Sequence, residues 1–171
     1  IANGDWSSDV CSSDLGSMAY LKIIAAIMAG ETLIKQYIAD KEKEGKKEWK
    51  LPGGIVIRRL ENGGAATGIL SNHKKELKIC SGAILSIGGL LLLKERKKQP
   101  VSAAGVGLAL ILGGGLCNFV DRVKKGTVTD YIRFTKCPVS YVRKLVFNIS
   151  DFCIFIGGLL LFACQKFRIK N

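Results

Sequence analysis

From Val101 to Val120 the chain carries no charged side chain, and this uninterrupted apolar run is what most limits its possible folds. Three more apolar segments accompany it: Ala19 to Ile38, Leu77 to Leu93, and Val146 to Ala163. Each has roughly the ~17–25 residues that a helix needs to cross a bilayer. The first is the least clean, because Glu31 and Lys35 lie inside it. In a chain of 171 residues, four such segments leave no room for a separate soluble domain. The expected fold is a mainly α membrane protein, a bundle of four transmembrane helices at about 19–38, 77–93, 101–120 and 148–165. Gly82, Gly88 and Gly89 in the second helix, and Ala103, Gly107 and Gly113 to Gly115 in the third, allow close helix contact.

Charge narrows the partners. The formal net charge is +12, with 26 Lys and Arg against 14 Asp and Glu. The basic residues lie in loops flanking apolar spans, where anionic lipid headgroups are the natural counter-charge. No basic stripe interleaved with aromatics appears, so membrane lipids are the expected partners and nucleic acid is not. Six cysteines show neither a CxxC nor a Cys/His spacing, and four fall within or beside apolar spans, so neither a metal site nor a disulfide framework is expected. Residues 1–17 are polar and rich in Ser and Asp, resemble translated sequencing-adapter sequence, and are expected to be a disordered, non-native leader. Met18 is the expected start of the folded domain, 18–171.

The chemistry concentrates where apolar runs meet polar residues. Gly115-Leu-Cys-Asn118-Phe-Val-Asp121-Arg122 closes the third apolar segment, and Asp130 follows beyond Gly126. Phe147-Asn148-Ile-Ser-Asp151 opens the fourth. Asn and Asp are expensive near hydrocarbon and mark functional candidates there. Asp121 and Arg122 can form a satisfied pair anchoring a helix end, which is the favoured reading of those two. Asn148 and Asp151, three apart, fit an N-cap with an acidic residue in the first turn. Asp130 has no obvious helical partner. Two carboxylates brought together at a partly dry site cannot both ionise, so one keeps a proton. Such a pair can activate water against a peptide carbonyl. Glu31 and Lys35, four apart, share a helix face; they are either an interfacial ion pair or a buried pair that orients other groups. Asn62, after the strand-like Ile55 to Leu60 and before Gly63-Gly-Ala-Ala-Thr-Gly68, is either a turn residue or part of a site.

The pattern Asn118-x-x-Asp121-Arg122-x-x-x-Gly126-x-Val128-x-Asp130-Tyr131-Ile132 with Phe147-Asn148-x-x-Asp151 resembles the paired signature of the bacterial lipoprotein signal peptidases (signal peptidase II). The likeness extends to Asn62-x-Gly64-Ala65-Ala66 and to Glu31 with Lys35, and runs from Met18 to the end. The resemblance implies a four-helix intramembrane aspartic endopeptidase of the bacterial plasma membrane with both termini cytoplasmic. Its substrates would be prolipoproteins, cut just before the diacylglyceryl-modified cysteine, and it would act as a monomer without metal or organic cofactor. Carried over by position, it implies Asp130 and Asp151 as the catalytic dyad. Asn62, Asn118, Asp121, Arg122, Asn148, Lys35 and Glu31 would be supporting or substrate-binding residues. Segments 39–76 and 121–147 would lie outside the cytoplasm near the active site, with Ile55 to Leu60 in a small β-cradle. The chain departs from the family where Glu31 replaces the usual Asp and Thr67 the usual aromatic.

Nine Lys and Arg in 39–76 and seven in 121–147 favour the opposite orientation by a positive-inside count, so charge alone does not orient the chain. Two other classes stay open: a four-helix channel or proton pathway, and an inactive family member that binds lipid or lipoprotein. A channel needs polar residues along one continuous face, whereas here they cluster at one end.

Overall fold

In the computed structural model the described residues are 6–64, 73–97 and 101–169, with side chains within 18–166. The elements are α1 (Trp6–Lys43), β1 (Trp49–Leu51), β2 (Ile55–Asn62), α2 (Lys74–Arg96), α3 (Ala103–Lys125), β3 (Val128–Phe134), α4 (Ser140–Lys144), β4 (Val146–Phe147) and α5 (Ile149–Ile169), with a 3-10 turn at Pro52–Gly54. The expected helices are present and extend beyond the apolar runs. A helix ends where capping or a breaker ends it, not where hydrophobicity does. α3 starts at Ser102, whose hydroxyl accepts from the Gly105 N–H at 2.9 Å. It stops at Gly126, whose φ of 77° is the left-handed conformation that favours glycine after a helix. The helix of α1 also continues through 6–17, a stretch expected to be disordered. That stretch holds no proline, and the helix that follows supplies the nucleus from which it propagates.

Among the described residues three helices are long and apolar enough to cross a membrane: Lys74–Arg96, Ala103–Lys125 and Ile149–Lys166. α1 is longer, but Lys22, Glu31 and Lys35 interrupt its apolar stretch, and it is not among the three. α3 is the central element. It carries ten buried residues, including Gly105, Gly107, Gly113 and Gly114, while α2 carries none among its described residues. The small residues let backbones meet. A Cβ on Gly107 would sit 2.9 Å from the Gly157 carbonyl oxygen, and one on Gly157 would sit 2.5 Å from that of Gly107. A Cβ on Gly114 would collide with the backbone oxygen of Ser150, in the first turn of α5. Tyr20, 2 % exposed, ties the far end of the bundle by accepting from the Ser102 N–H at 2.8 Å.

Beyond the C-terminal end of α3 the chain builds a four-stranded antiparallel sheet in the order β1-β2-β3-β4. Only part of β2 stood out in the sequence; β1, β3 and β4 are short or interrupted by charge. The β2–β3 ladder pairs Leu60 with Asp130, Glu61 with Thr129 and Asn62 with Val128, after a register shift between Ile57 and Leu60. Phe134, Phe147 and Phe152 cluster with ring centroids 5.8–6.2 Å apart, fastening β3 and β4 to the start of α5.

Gly157→Ala is expected to destabilise the detergent-solubilised protein by about 1–3 kcal/mol, because backbone rather than a flexible side chain must give way. Gly89→Ala, with nothing within 4 Å of the added Cβ, is expected to change stability by less than about 0.5 kcal/mol. Thermal melting of the two variants side by side checks this.

Candidate active site

Asp130 and Asp151 reach one cavity from different elements, Asp130 from the middle of β3 and Asp151 from the first turn of α5. The α5 terminus is a reciprocal cap. The Asp151 N–H donates to Asn148 Oδ1 and the Asn148 N–H donates to Asp151 Oδ2, both at 3.0 Å. Asn148 is fully buried and does more than cap: its Nδ2 donates to Asp130 Oδ1 at 2.7 Å and to Asn118 Oδ1 at 3.1 Å. Asn118 Nδ2 in turn donates to Asp151 Oδ1 at 2.9 Å. Asn62 Nδ2 donates to Asp130 Oδ2 at 3.0 Å, and its own Oδ1 accepts from the Gly64 N–H at 3.0 Å. Each carboxyl therefore accepts from two N–H donors, and three asparagines hold both groups in one network. Asn62 thus reaches Asp130 while also closing a turn, so the geometry accommodates both of its sequence readings.

The cavity measures about 320 Å³. Its polar end is formed by the two Asp residues, Asn62, Asn118 and Arg122, and its wall by Val146, Phe147, Ile154 and Phe155. Asp130 is 3 % exposed. Burial, the largest influence, pushes its carboxyl up to about 6, and the negative charge of Asp151 pushes the same way against the donors Asn62 and Asn148. Below about 6 Asp130 is therefore neutral beside a second carboxyl, the arrangement in which one proton serves two acids.

Behind the dyad runs a buried charge chain. Lys35 Nζ lies 2.9 Å from both Glu31 Oε1 and Asp121 Oδ2. Asp121 Oδ2 also accepts from the Thr129 N–H at 3.2 Å. Glu31 Oε2 accepts from the Tyr131 hydroxyl at 2.9 Å, and that hydroxyl accepts from the Ile149 N–H at 3.3 Å. Thr129 and Tyr131 flank Asp130 in β3, and Ile149 opens α5, so α1 braces both elements that carry the dyad. Of the two readings of Glu31 and Lys35, the buried pair is the one found, with Glu31 2 % exposed.

One expectation is corrected. Asp121 does not pair with Arg122; its partners are Lys35 and Lys125, the latter at 3.3 Å. Consecutive residues on a helix point about 100° apart, so Asp121 turns toward α1 while Arg122 turns toward the dyad cavity, its Nη2 3.4 Å from the Gly64 oxygen. Sequence reasoning gave Tyr131 no role beyond its place in the signature and passed over Glu61. Glu61 accepts from Arg59, Thr127 and Thr129, clamping β2 to β3 beside Asp130. Partial burial opposes its ionisation, yet these donors outweigh it and hold the carboxyl below its ordinary value. The available signal was position, since each residue directly adjoins a candidate. Ala65 to Gly68, with Thr67, lie outside the described residues. Among the described residues no group of three or more His, Cys, Asp or Glu is arranged to hold a metal ion.

Residues 23–167 match the family model of Signal peptidase (SPase) II. The lipoprotein signal peptidase of Brevibacillus brevis is 34 % identical over 146 residues, covering 84 % of this chain and 93 % of the relative. That of Lactobacillus johnsonii is 29 % identical, covering 84 % and 88 %. A solved bacterial membrane enzyme at 2.3 Å resolution superposes with a TM-score of 0.71 at 28 % identity, covering 86 % of this chain and 87 % of that one.

The raised Asp130 sets a sign for stability against pH. The folded state holds the proton more tightly than the unfolded chain, whose ordinary carboxyl value is 3.8. The stabilisation from protonated Asp130 is therefore complete below about 4 and disappears as pH rises through about 6. Melting temperature is expected to fall over that interval in the native protein and to fall less in Asp130→Asn, as differential scanning of both across pH will read.

Proposed function

The chain belongs to the signal peptidase II family and is a peptide-bond hydrolase, and from that premise we propose that it is an aspartic endopeptidase with Asp130 and Asp151 as its catalytic dyad. The observation that carries the proposal is the shared asparagine network, which holds two carboxyls at the polar end of one otherwise apolar cavity. Its substrates are bacterial prolipoproteins, cut just before the diacylglyceryl-modified cysteine. The apolar wall suits a lipid-bearing segment, and the two acids sit where the scissile peptide bond must lie. It acts as a monomer in the plasma membrane.

In this mechanism water is the nucleophile. Asp151, whose place in the first turn of α5 favours negative charge, takes a proton from the water as it attacks the peptide carbonyl. Protonated Asp130 donates to the carbonyl oxygen as it gains charge. Collapse of the resulting gem-diol passes the proton on Asp151 to the leaving amine as the C–N bond breaks, and one hydroxyl proton of the diol returns to Asp130, which resets the pair. Asn62 and Asn148 fix Asp130, Asn118 and Asn148 fix Asp151, and Arg122 offers its guanidinium to the substrate backbone in the same cavity. The dyad need not move; approach geometry is set before substrate arrives.

α1 is the fourth span in this reading. Its internal charges do not forbid it, because Glu31 and Lys35 neutralise one another 2.9 Å apart and face α3. The sheet then caps the extracytoplasmic end, with segments 39–76 and 121–147 on that side and residues 1–17 as a leader outside the working domain.

Asp130→Asn and Asp151→Asn are each expected to lower cleavage of a diacylglyceryl-modified prolipoprotein peptide by about 10²–10⁴-fold or more while the protein still inserts and melts cooperatively. Near-normal cleavage by either variant would falsify the dyad. Because the reaction needs the Asp130 proton, kcat/KM is also expected to fall as pH rises through about 6, the value for the free enzyme. The limb in kcat should lie at higher pH, since bound substrate excludes water and further disfavours ionisation. A pH-rate series on the native enzyme reads both limbs.

A further inference from the structure

The β2–β3 ladder changes step beside the dyad. Up to Ile57 the strands pair as Ile55 with Phe134 and Ile57 with Ile132; from Leu60 onward they pair one residue out of step with that. Arg58 and Arg59 therefore oppose the single Tyr131, the two-against-one count of a β-bulge. A shift of one residue turns every later side chain to the other face of the sheet. Partners directly opposite share a face, so the bulge puts Leu60 and Asn62 on the face of Asp130 and Val128. In the unbulged register Arg59 would stand opposite Asp130, and Asn62 would turn away from it. Only three pairs follow the shift before the strand ends at Asn62, which is little backbone pairing to hold a register.

The side chain that holds it is Glu61. Neighbours on a strand alternate faces, so Glu61 points away from the dyad cavity and toward Thr129 opposite it. Its Oε2 accepts from the Thr127 hydroxyl at 2.7 Å and its Oε1 from the Thr129 hydroxyl at 3.1 Å. Arg59, in the bulge, donates to the same Oε1 through Nε at 3.0 Å and Nη2 at 2.8 Å, and reaches Glu42 of α1 with Nη1 at 3.3 Å. Thr129 is itself fixed to α3, its hydroxyl accepting from Lys125 Nζ at 3.1 Å and its N–H donating to Asp121 at 3.2 Å. The contacts of Glu61 with Thr127 and Thr129 exist only in the bulged register, since otherwise Glu61 would face the cavity. We propose that Glu61 is a positioning residue for the dyad, holding β2 in the register that presents the Asn62 amide to Asp130. The inference rests on the catalytic reading of Asp130 given above.

The consequence is read at the Asp130 proton. Among the described residues, the charged groups around that carboxyl are Asp151 from α5, Arg122 from α3 and Lys35 from α1, and β4 brings only Val146 and Phe147 to the cavity. Glu61, on the opposite face, acts on it through Asn62. The Asn62 amide favours the ionised form, so a β2 that slips leaves Asp130 holding its proton to higher pH.

The test compares the full-length native enzyme with Glu61→Ala, Thr127→Val, Asn62→Ala and the double variant Glu61→Ala/Asn62→Ala. Melting temperature and kcat/KM on a diacylglyceryl-modified prolipoprotein peptide are both followed across pH. Glu61→Ala and Thr127→Val are each expected to lower kcat/KM at acid pH by about 3–10-fold, the share of one hydrogen bond. Both should also carry the kinetic limb and the fall in melting temperature above the native position near about 6. Asn62→Ala should carry them at least as far, and adding Glu61→Ala to it should move neither again. Lower melting temperatures with limb and melting interval unmoved would overturn the proposal, as would a Glu61→Ala shift that adds in full to that of Asn62→Ala. Should Glu61→Ala fail to fold, Thr127→Val decides alone, because a methyl replaces its hydroxyl and every charge stays in place. The melting series reads the Asp130 proton without turnover. A displaced melting interval in the variants, with no kinetic limb in the native enzyme, would count against the dyad and leave the hold of Glu61 on Asn62 standing.

Discussion

A carboxyl beside hydrocarbon persists only if hydrogen-bond donors replace the water it has lost, and the polar network at the sheet end of this bundle follows from that need. Asp130 and Asp151 take four N–H donors, of which three are asparagine amides and one is the backbone of Asn148. Asparagine suits the task because it donates without adding charge. Lysines in those places would have paired with each carboxyl and left neither able to hold or take a proton at neutral pH. The amides orient the acids and leave their acidity to burial and to each other.

The network has to be assembled from far apart in the chain, and α3 makes that possible. Its glycines bring α5 into backbone contact near Ser150, one residue before Asp151. Its C-terminal end supplies Asn118 to the Asp130–Asp151 pair on one face and Asp121 to α1 on another. Its left-handed stop at Gly126 turns the chain back so that β3 delivers Asp130 beside α5. Bulk at Gly114 and a different stop at Gly126 would damage the same thing by different routes, the distance between the two carboxyls. The polar groups gather at this end, and α2 has no buried residue among those described. A conduction path through the bundle would need a polar face that continues past α3's glycines, and those positions are closed by packing.

The helices were legible because an apolar run of membrane length admits few other folds; Asn118, Asn148, Asp130 and Asp151 drew attention as polar residues beside such runs, while Asn62 and the pairing of the two Asp residues came from the family resemblance. Less legible was who pairs with whom. Asp121 and Arg122 are adjacent in sequence and opposite in sign, yet the helix turns them toward different neighbours, and the partner of Asp121 comes from α1, 86 positions away. β1, β3 and β4 escaped notice because their pairing, rather than their own composition, makes them strands: β4 has two residues and β3 mixes Asp130 and Arg133 into an apolar run. Glu61 and the role of Tyr131 escaped for the same reason, since Glu61 matters through what the β2–β3 pairing brings against it and Tyr131 through Glu31 of α1 and Ile149 of α5.

Glu31 shows how such a network tolerates change. The family resemblance implies a shorter carboxylate at this position, yet Glu31 meets two demands at once, Lys35 through one oxygen and the Tyr131 hydroxyl through the other, each at 2.9 Å. The extra methylene is absorbed along α1, where the side chain lies against α3 and β3 and is 1 % exposed. What the site requires at this position is a negative charge with two acceptor oxygens facing Lys35 and β3, and either acid can supply that if the backbone stands at the right distance. The constraint therefore lies in the partners. Lys35 must have two carboxylates to be buried between, and Tyr131 must have an acceptor if its hydroxyl is to hold the start of α5, so what the charge chain demands at position 31 is a chemistry rather than one residue.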